Sequence, residues 1–145
     1  MVEKEARKNL KKNAAKIYFE VLDELGYKYD VDKDGDIAYV SAVTNSKVIA
    51  IIDSGFDEFV RIVLPEVKDV TSENRASILE ACNVANLKNK GGKVYISERN
   101  KSVWVAYEAI LNELNEDELR NALFIGPVVV TAAGQKFLEV IGETE

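Results

Sequence analysis

The chain has 145 residues, 47% of them hydrophobic and 30% charged, with 25 acidic and 19 basic side chains, one cysteine and no histidine. That length fits one domain, able to bury roughly 68–70% of its unfolded surface without disulfides or a structural metal. Without histidine there is no Ser-His or Cys-His nucleophile pair, no imidazole general base and no His-ligated zinc or iron. The net charge of -6 disfavours a nucleic-acid backbone binder, which relies on a cationic footprint. The single cysteine cannot pair within the chain, which suits a reducing compartment.

Residues 1–16 hold six basic side chains against Glu3 and Glu5, a local charge of +4, so the remainder carries -10. This basic start resembles a signal-peptide n-region, but charges interrupt Lys16–Leu25 every few residues and no apolar h-region follows. A solvated helix face and an electrostatic arm both account for it; residues 1–12 are expected to be a frayed extension of the first helix. Ile17, Val21, Leu22 and Leu25 recur at helical spacing, and Gly26 suits the residue after the helix end. Period-2 alternation then predicts strands at Tyr27–Val31, Ile37–Val43, Lys47–Ile52 and Glu58–Leu64, a four-stranded antiparallel meander that Pro65 is expected to stop. Thr71 or Ser72 is expected to cap a second helix, with Ile78, Leu79, Cys82, Ala85 and Leu87 as its apolar stripe and Gly91-Gly92 as its close. Lys93–Ser97 and Ser102–Ala109 read as a hairpin around Glu98–Lys101, and Asn115 with Glu118 reads as a capping box for a further helix. In the last segment Pro127 fits a first helical position, and Val130, Phe137, Val140 and Ile141 keep helical spacing. The longest uncharged run, Asn121–Gln135, is 15 residues, short of the ~20 that a membrane span needs. No repeat or Pro/Gly/Ser-rich linker divides the chain, which reads as one domain over 1–145. It is expected to be soluble, cytoplasmic and free of membrane and nucleic-acid partners.

Two strands are apolar on both faces. Lys47–Ile52 has Val48, Ala50 and Ile52 on one side with Ile49 and Ile51 on the other; Ser102–Ala109 sets Val103, Val105 and Tyr107 against Trp104 and Ala106. Either helices straddle the sheet or a second subunit covers one face. Ile49, Ile51, Trp104 and Ala106 are the candidate interface residues.

The sharpest local motif is Asp30-Val-Asp32-Lys-Asp34-Gly35-Asp36-Ile37, which fits the first eight positions of an EF-hand calcium loop. Position twelve holds Ser41 where a bidentate glutamate is needed, and the flanks alternate like strands. An aspartate- and glycine-rich hairpin turn explains the same residues without an ion. Asp30, Asp32, Asp34 and Asp36 stand as calcium candidates beside that account. Asp23-Glu24, Asp57-Glu58 and Glu116-Asp117-Glu118 are carboxylate clusters that helix exposure and capping already explain. Cys82 falls in an apolar stripe, where a free cysteine behaves as a small hydrophobe. Gly91-Gly92 precedes a strand, unlike a phosphate cradle, which opens a helix. Tyr18, Tyr27, Tyr29, Tyr39 and Trp104 form either a ligand-lining set or packing. No catalytic residue, cofactor site or metal site is assigned.

Val21–Tyr39, with its Leu-Asp-Glu-Leu-Gly-Tyr opening and Asp-Gly-Asp-Ile turn, and Ala81–Ile96, where an Asn83…Asn86 helix runs into Gly92-Lys-Val-Tyr, together resemble the YbjN family of small bacterial domains. The resemblance implies the type III secretion chaperone fold, an α+β sandwich that often dimerises, and a loose description as sensory-transduction regulators. It carries no catalytic residue and no cofactor. It also favours a helix over Gly126–Ile141. The expected fold is α+β, an antiparallel sheet in helix, four strands, helix, two strands, helix order. The expected function is a non-enzymatic, chaperone-like or regulatory protein-binding module acting as a homodimer on an unidentified protein partner. The alternative is a small-ligand or Ca²⁺-sensing domain using the Asp30–Asp36 loop.

Overall fold

The computed structural model describes residues 15–52, 59–111 and 115–144, with side chains to 142. The expected residues 1–12 extension and the Asp57-Glu58 pair lie outside the described residues. Helix α1 is described over residues 15–25, followed by β1 (Tyr29–Val31), β2 (Ile37–Val40), β3 (Lys47–Ile52), β4 (Phe59–Asp69), α2 (Arg75–Lys88), β5 (Gly92–Ser97), β6 (Ser102–Ile110) and α3 (Glu116–Thr144). The strands form one six-stranded sheet in the order β1-β2-β3-β4-β6-β5, antiparallel throughout. The α+β class and the element order are those the sequence predicts.

Several local signals act as expected. Gly26 ends α1 at φ +74°, with its N–H donated to the Asp23 carbonyl and the Tyr27 N–H to that of Leu22, the paired bonds of a Schellman close. Thr71 Oγ1 accepts the Asn74 N–H while Asn74 Oδ1 accepts the Thr71 N–H, a reciprocal box one turn ahead of α2, whose own N-cap is Asn74 and not the expected Thr71 or Ser72. Asn115 Oδ1 accepts the N–H groups of Asp117 and Glu118 at the start of α3.

Three further expectations are corrected. Pro65 does not stop β4, which runs on to Asp69; the register with β6 shifts between Leu64 and Lys68, and Glu66 takes φ +54° there. The proline occupies an irregularity in which its missing N–H breaks no ladder bond, the one setting a central strand allows it. In α2 the buried side is Ile78, Ala81, Cys82 and Ala85, whereas Leu79 and Leu87 are exposed. Leu79 sits on the flank of the helix, one position round from Ile78, and Leu87 on the side away from the core.

Pro127 does not begin a helix. It lies inside α3, a single helix of 29 residues. An interior proline leaves the carbonyl four residues earlier without its donor. That carbonyl is Leu123 O, and the buried Tyr39 hydroxyl donates to it at 2.8 Å. Helix and sheet are thereby tied at the point in the helix interior where the proline leaves a carbonyl unpaired. Length and composition would allow α3 to cross a membrane, because the helix continues past the uncharged run through Lys136 and Glu139. Here its apolar side, with Leu119, Leu123, Val130 and Phe137 fully buried, lies on the sheet. Gly126 permits the close approach: a Cβ there would meet Ile62 Cδ1 at 2.5 Å.

One core joins α1 (Tyr18, Val21, Leu22), α2 and α3 to a single face of the sheet, formed by Ile37, Tyr39, Val48, Ala50, Ile52, Val60, Ile62, Val94, Val103 and Val105. The described residues therefore form two layers, helices over sheet.

Candidate functional site

Strand alternation sends every second side chain to the other face. There stand Ala38 and Val40 of β2, Ile49 and Ile51 of β3, Phe59, Arg61 and Val63 of β4, Trp104, Ala106, Glu108 and Ile110 of β6, and Lys93 and Tyr95 of β5. The register aligns them in rows: Ala38, Ile49, Val63, Ala106 and Lys93 form one, and Ile51, Arg61 and Glu108 the next. None of these residues belongs to the helix-covered core, and no described helix lies over them. Of the two arrangements the sequence leaves open, helices on both faces is not the one adopted by the described residues.

The four interface candidates from the sequence share this face. Ile49, Ile51 and Trp104 are half-buried, with Trp104 Nε1 donating to Ser102 Oγ at 2.8 Å. Ala106 is only 1% exposed, and Val63 beside it is fully buried. Ala106 therefore offers almost no accessible surface, unlike the half-buried Ile49, Ile51 and Trp104 around it.

The face is divided. Its β2–β3 side is aliphatic, apart from Lys47 at the margin. Its β6–β5 side, together with Arg61 of β4, holds a charged cluster that sequence reading overlooked. Lys93 Nζ donates to Glu108 Oε1 at 2.8 Å, Arg61 Nε lies 3.6 Å from the same oxygen, and both cations stand over the Tyr95 ring at 5.7 and 5.8 Å from its centroid. Two cations share one carboxylate, and the Arg61 Nε is buried without a hydrogen bond. The signal was present as a lone Arg61 in Phe-Val-Arg-Ile-Val-Leu and a lone Glu108 in Val-Ala-Tyr-Glu-Ala-Ile.

The other candidates disperse. In the aspartate loop, Asp32 Oδ1 accepts the N–H groups of Asp34 and Asp36 at 2.9 Å each, and Asp36 Oδ1 accepts the Ile52 N–H at 3.3 Å. Gly35 takes φ +83° and donates to the Asp32 carbonyl. The Asp32 carboxylate thus serves the hairpin turn itself, and that of Asp36 ties the turn to the end of β3. Among the described residues no three Cys, Asp or Glu side chains converge as a metal site. Tyr18, Tyr27 and Tyr39 are core residues, Tyr29 stacks on Phe19 with centroids 5.1 Å apart, and Trp104 is across the sheet, so the aromatic set lines no common cleft. Burial pushes the Cys82 thiol up to about 11, which keeps it protonated and unreactive at neutral pH. Two surface clefts, about 170 Å³ beside Thr71, Arg75 and Lys101 and about 360 Å³ beside Tyr107, Asp117 and Asn121, contain none of the calcium or interface candidates, although the second is lined by Asp117 and Glu118 of the acidic cluster.

Comparison with known proteins gives a consistent picture. The family YbjN, described as "Putative bacterial sensory transduction regulator", matches residues 19–139. A crystal structure of YbjN from E. coli, described as "a putative transcription regulator", superposes with a TM-score of 0.63 at 11% identity, covering 88% of this chain and 90% of that one. At that identity the likeness shows the fold alone. No curated protein sequence matches the chain.

Proposed function

The chain belongs to the YbjN family, and we propose that within it the protein is a non-enzymatic, cytoplasmic regulator that works by protein–protein contact, as a homodimer joined through the uncovered sheet face. The observation that carries this reading is the face itself: half-buried Ile49, Ile51, Phe59 and Trp104 with the more exposed Val40 and Ile110, all on one side of a sheet that no described helix covers. Contiguous apolar surface of that kind marks an interaction site.

A second copy suits the aliphatic half. A two-fold interface brings the same patch against itself, so its centre must be free of net charge. Charged residues are depleted from interface cores and tolerated at rims. The β2–β3 side, with Ala38, Val40, Ile49 and Ile51, fits the centre, and the Arg61–Glu108–Lys93 cluster lies beside it with its cations facing the Glu108 carboxylate. The six strands span roughly 24 Å at about 4.8 Å spacing, room for a sheet-on-sheet contact. The family description as a regulator supports the regulatory role, and the lone buried thiol accords with a reducing compartment. Nothing in the geometry favours the calcium or small-ligand reading over this one.

Light scattering tests it. The wild type is expected at twice the 16.1 kDa chain mass. Ile49→Glu, set between Ala38 and Val63 in its row, places an unpaired carboxylate in the contact, a penalty of about 3–5 kcal/mol or more than 100-fold in Kd, and is expected at the single-chain mass with unchanged circular dichroism. A wild type that stays at 16.1 kDa at every concentration removes the homodimer.

A further inference from the structure

The sheet has two edges, and they are closed by different means. At one end β1 is three residues long and flanked by Lys28, Asp32 and Lys33, a short charged edge that resists pairing. At the other end is β5, six residues with no charge after Lys93 and a high content of strand-forming side chains: Gly92-Lys-Val-Tyr-Ile-Ser97. Backbone groups of an antiparallel strand alternate between its two neighbours. Val94 points its pair away from β6, to where a seventh strand would lie. That position is taken by one side chain. Asn86 of α2 accepts the Val94 N–H on Oδ1 at 2.8 Å and donates from Nδ2 to the Val94 carbonyl at 3.0 Å. These are the two bonds that a residue of an added strand would exchange with Val94, made by one carboxamide whose donor and acceptor match the donor and acceptor of a peptide unit. Buried Cys82 and Ala85 on the adjoining side of α2, together with buried Val94, hold the helix against the strand, so that Asn86 is aimed at the centre of the edge.

We propose that Asn86 is a strand surrogate: its carboxamide occupies the central hydrogen-bonding position of the β5 edge and keeps the sheet from pairing there with β5 of a second copy. The lock confines association to side-chain contacts elsewhere and prevents a strand-by-strand extension. It stands whether or not the open face joins two copies.

The test uses hydrogen exchange and light scattering on the full chain. In the wild type the Val94 amide is protected although it faces outward from an edge strand. Asn86→Ala puts a strong helix former at an exposed position and keeps the fold; it is expected to speed Val94 exchange about tenfold. It is also expected to raise the mass above that of the wild type as concentration increases. Adding Ser97→Lys, on the face of β5 away from the helix-covered core, puts a charge on the edge strand, and is expected to bring the mass back to the wild-type value. A Val94 amide that already exchanges at the rate of an open chain in the wild type overturns the proposal, whatever the variants do. So does an Asn86→Ala mass that tracks the wild type throughout, or a double variant that associates as Asn86→Ala does.

Discussion

The bond from Tyr39 to Leu123 lends itself to a quantitative test. Tyr39→Phe removes one oxygen from a side chain that is 1% exposed and leaves its ring in place. The Leu123 carbonyl, deprived of a helical donor by Pro127, then has no partner for the bond it now makes at 2.8 Å. An unsatisfied buried acceptor costs about 1–3 kcal/mol, more than the 0.5–1.5 kcal/mol net worth of an ordinary hydrogen bond. For a chain of this length that is roughly 3–10 °C in Tm. Urea unfolding of four proteins measures it: wild type, Tyr39→Phe, Pro127→Ala and the double variant. Alanine at 127 restores an N–H to the helix, so in that background Tyr39→Phe is expected to lose at least about 1 kcal/mol of its effect. A Tyr39→Phe variant within about 0.5 kcal/mol of the wild type, or a cycle in which the two changes simply add, would refute the account of how α3 carries its proline.

Other expectations concern packing and pH. Gly126→Ala drives a Cβ into Ile62, whose Cβ and Cγ2 are 3.2 and 3.3 Å away as well as Cδ1; overpacking of this kind costs about 1–3 kcal/mol, and Ile62→Val in the same chain, by removing Cδ1, recovers part of it in thermal unfolding. Burial raises the Cys82 thiol to about 11 and the Tyr39 phenol well above its ordinary 10, so the folded state keeps both protonated where the unfolded chain does not. Stability from these groups is complete below about pH 8.5 and declines as pH rises toward 11, because the unfolded state then binds fewer protons. Unfolding at pH 7, 9 and 10.5 checks the sign, and a protein most stable at pH 10.5 contradicts it. Cys82 is also expected to react slowly with a thiol reagent at pH 8 and fast in denaturant; equal rates would show that the thiol is not held in the core.

The misreadings at Pro65 and Pro127 share one physical cause. Proline stops an element only where its absent N–H is needed, and that depends on neighbours that local sequence does not reveal. At Pro65 the ladder is already interrupted between Leu64 and Lys68. At Pro127 the compensating hydroxyl is on Tyr39, whose acceptor Leu123 is 84 positions away. Features set within one turn were legible: the Gly26 close, the Asn115 cap, and the alternation that put Val48, Ala50 and Ile52 opposite Ile49 and Ile51. Alternation showed that β3 and β6 had two apolar faces, but which face the helices took was fixed by long-range packing. The role of Asn86 was hidden for a similar reason, since its two partners are backbone groups on a strand that begins only after α2 has ended.

The central claim is that the open sheet face is a contact surface, and the chain carries its own probe there. Trp104 is the only tryptophan and stands on that face, half-buried. Acrylamide quenching of its fluorescence, measured from nanomolar to high micromolar protein with mass followed in parallel, reads cover directly. The account predicts that quenching falls and emission shifts to the blue as the mass rises from 16.1 kDa to twice that value, and that Ile49→Glu abolishes both changes. Quenching that is constant while the mass doubles would place the contact elsewhere on the molecule and contradict the claim.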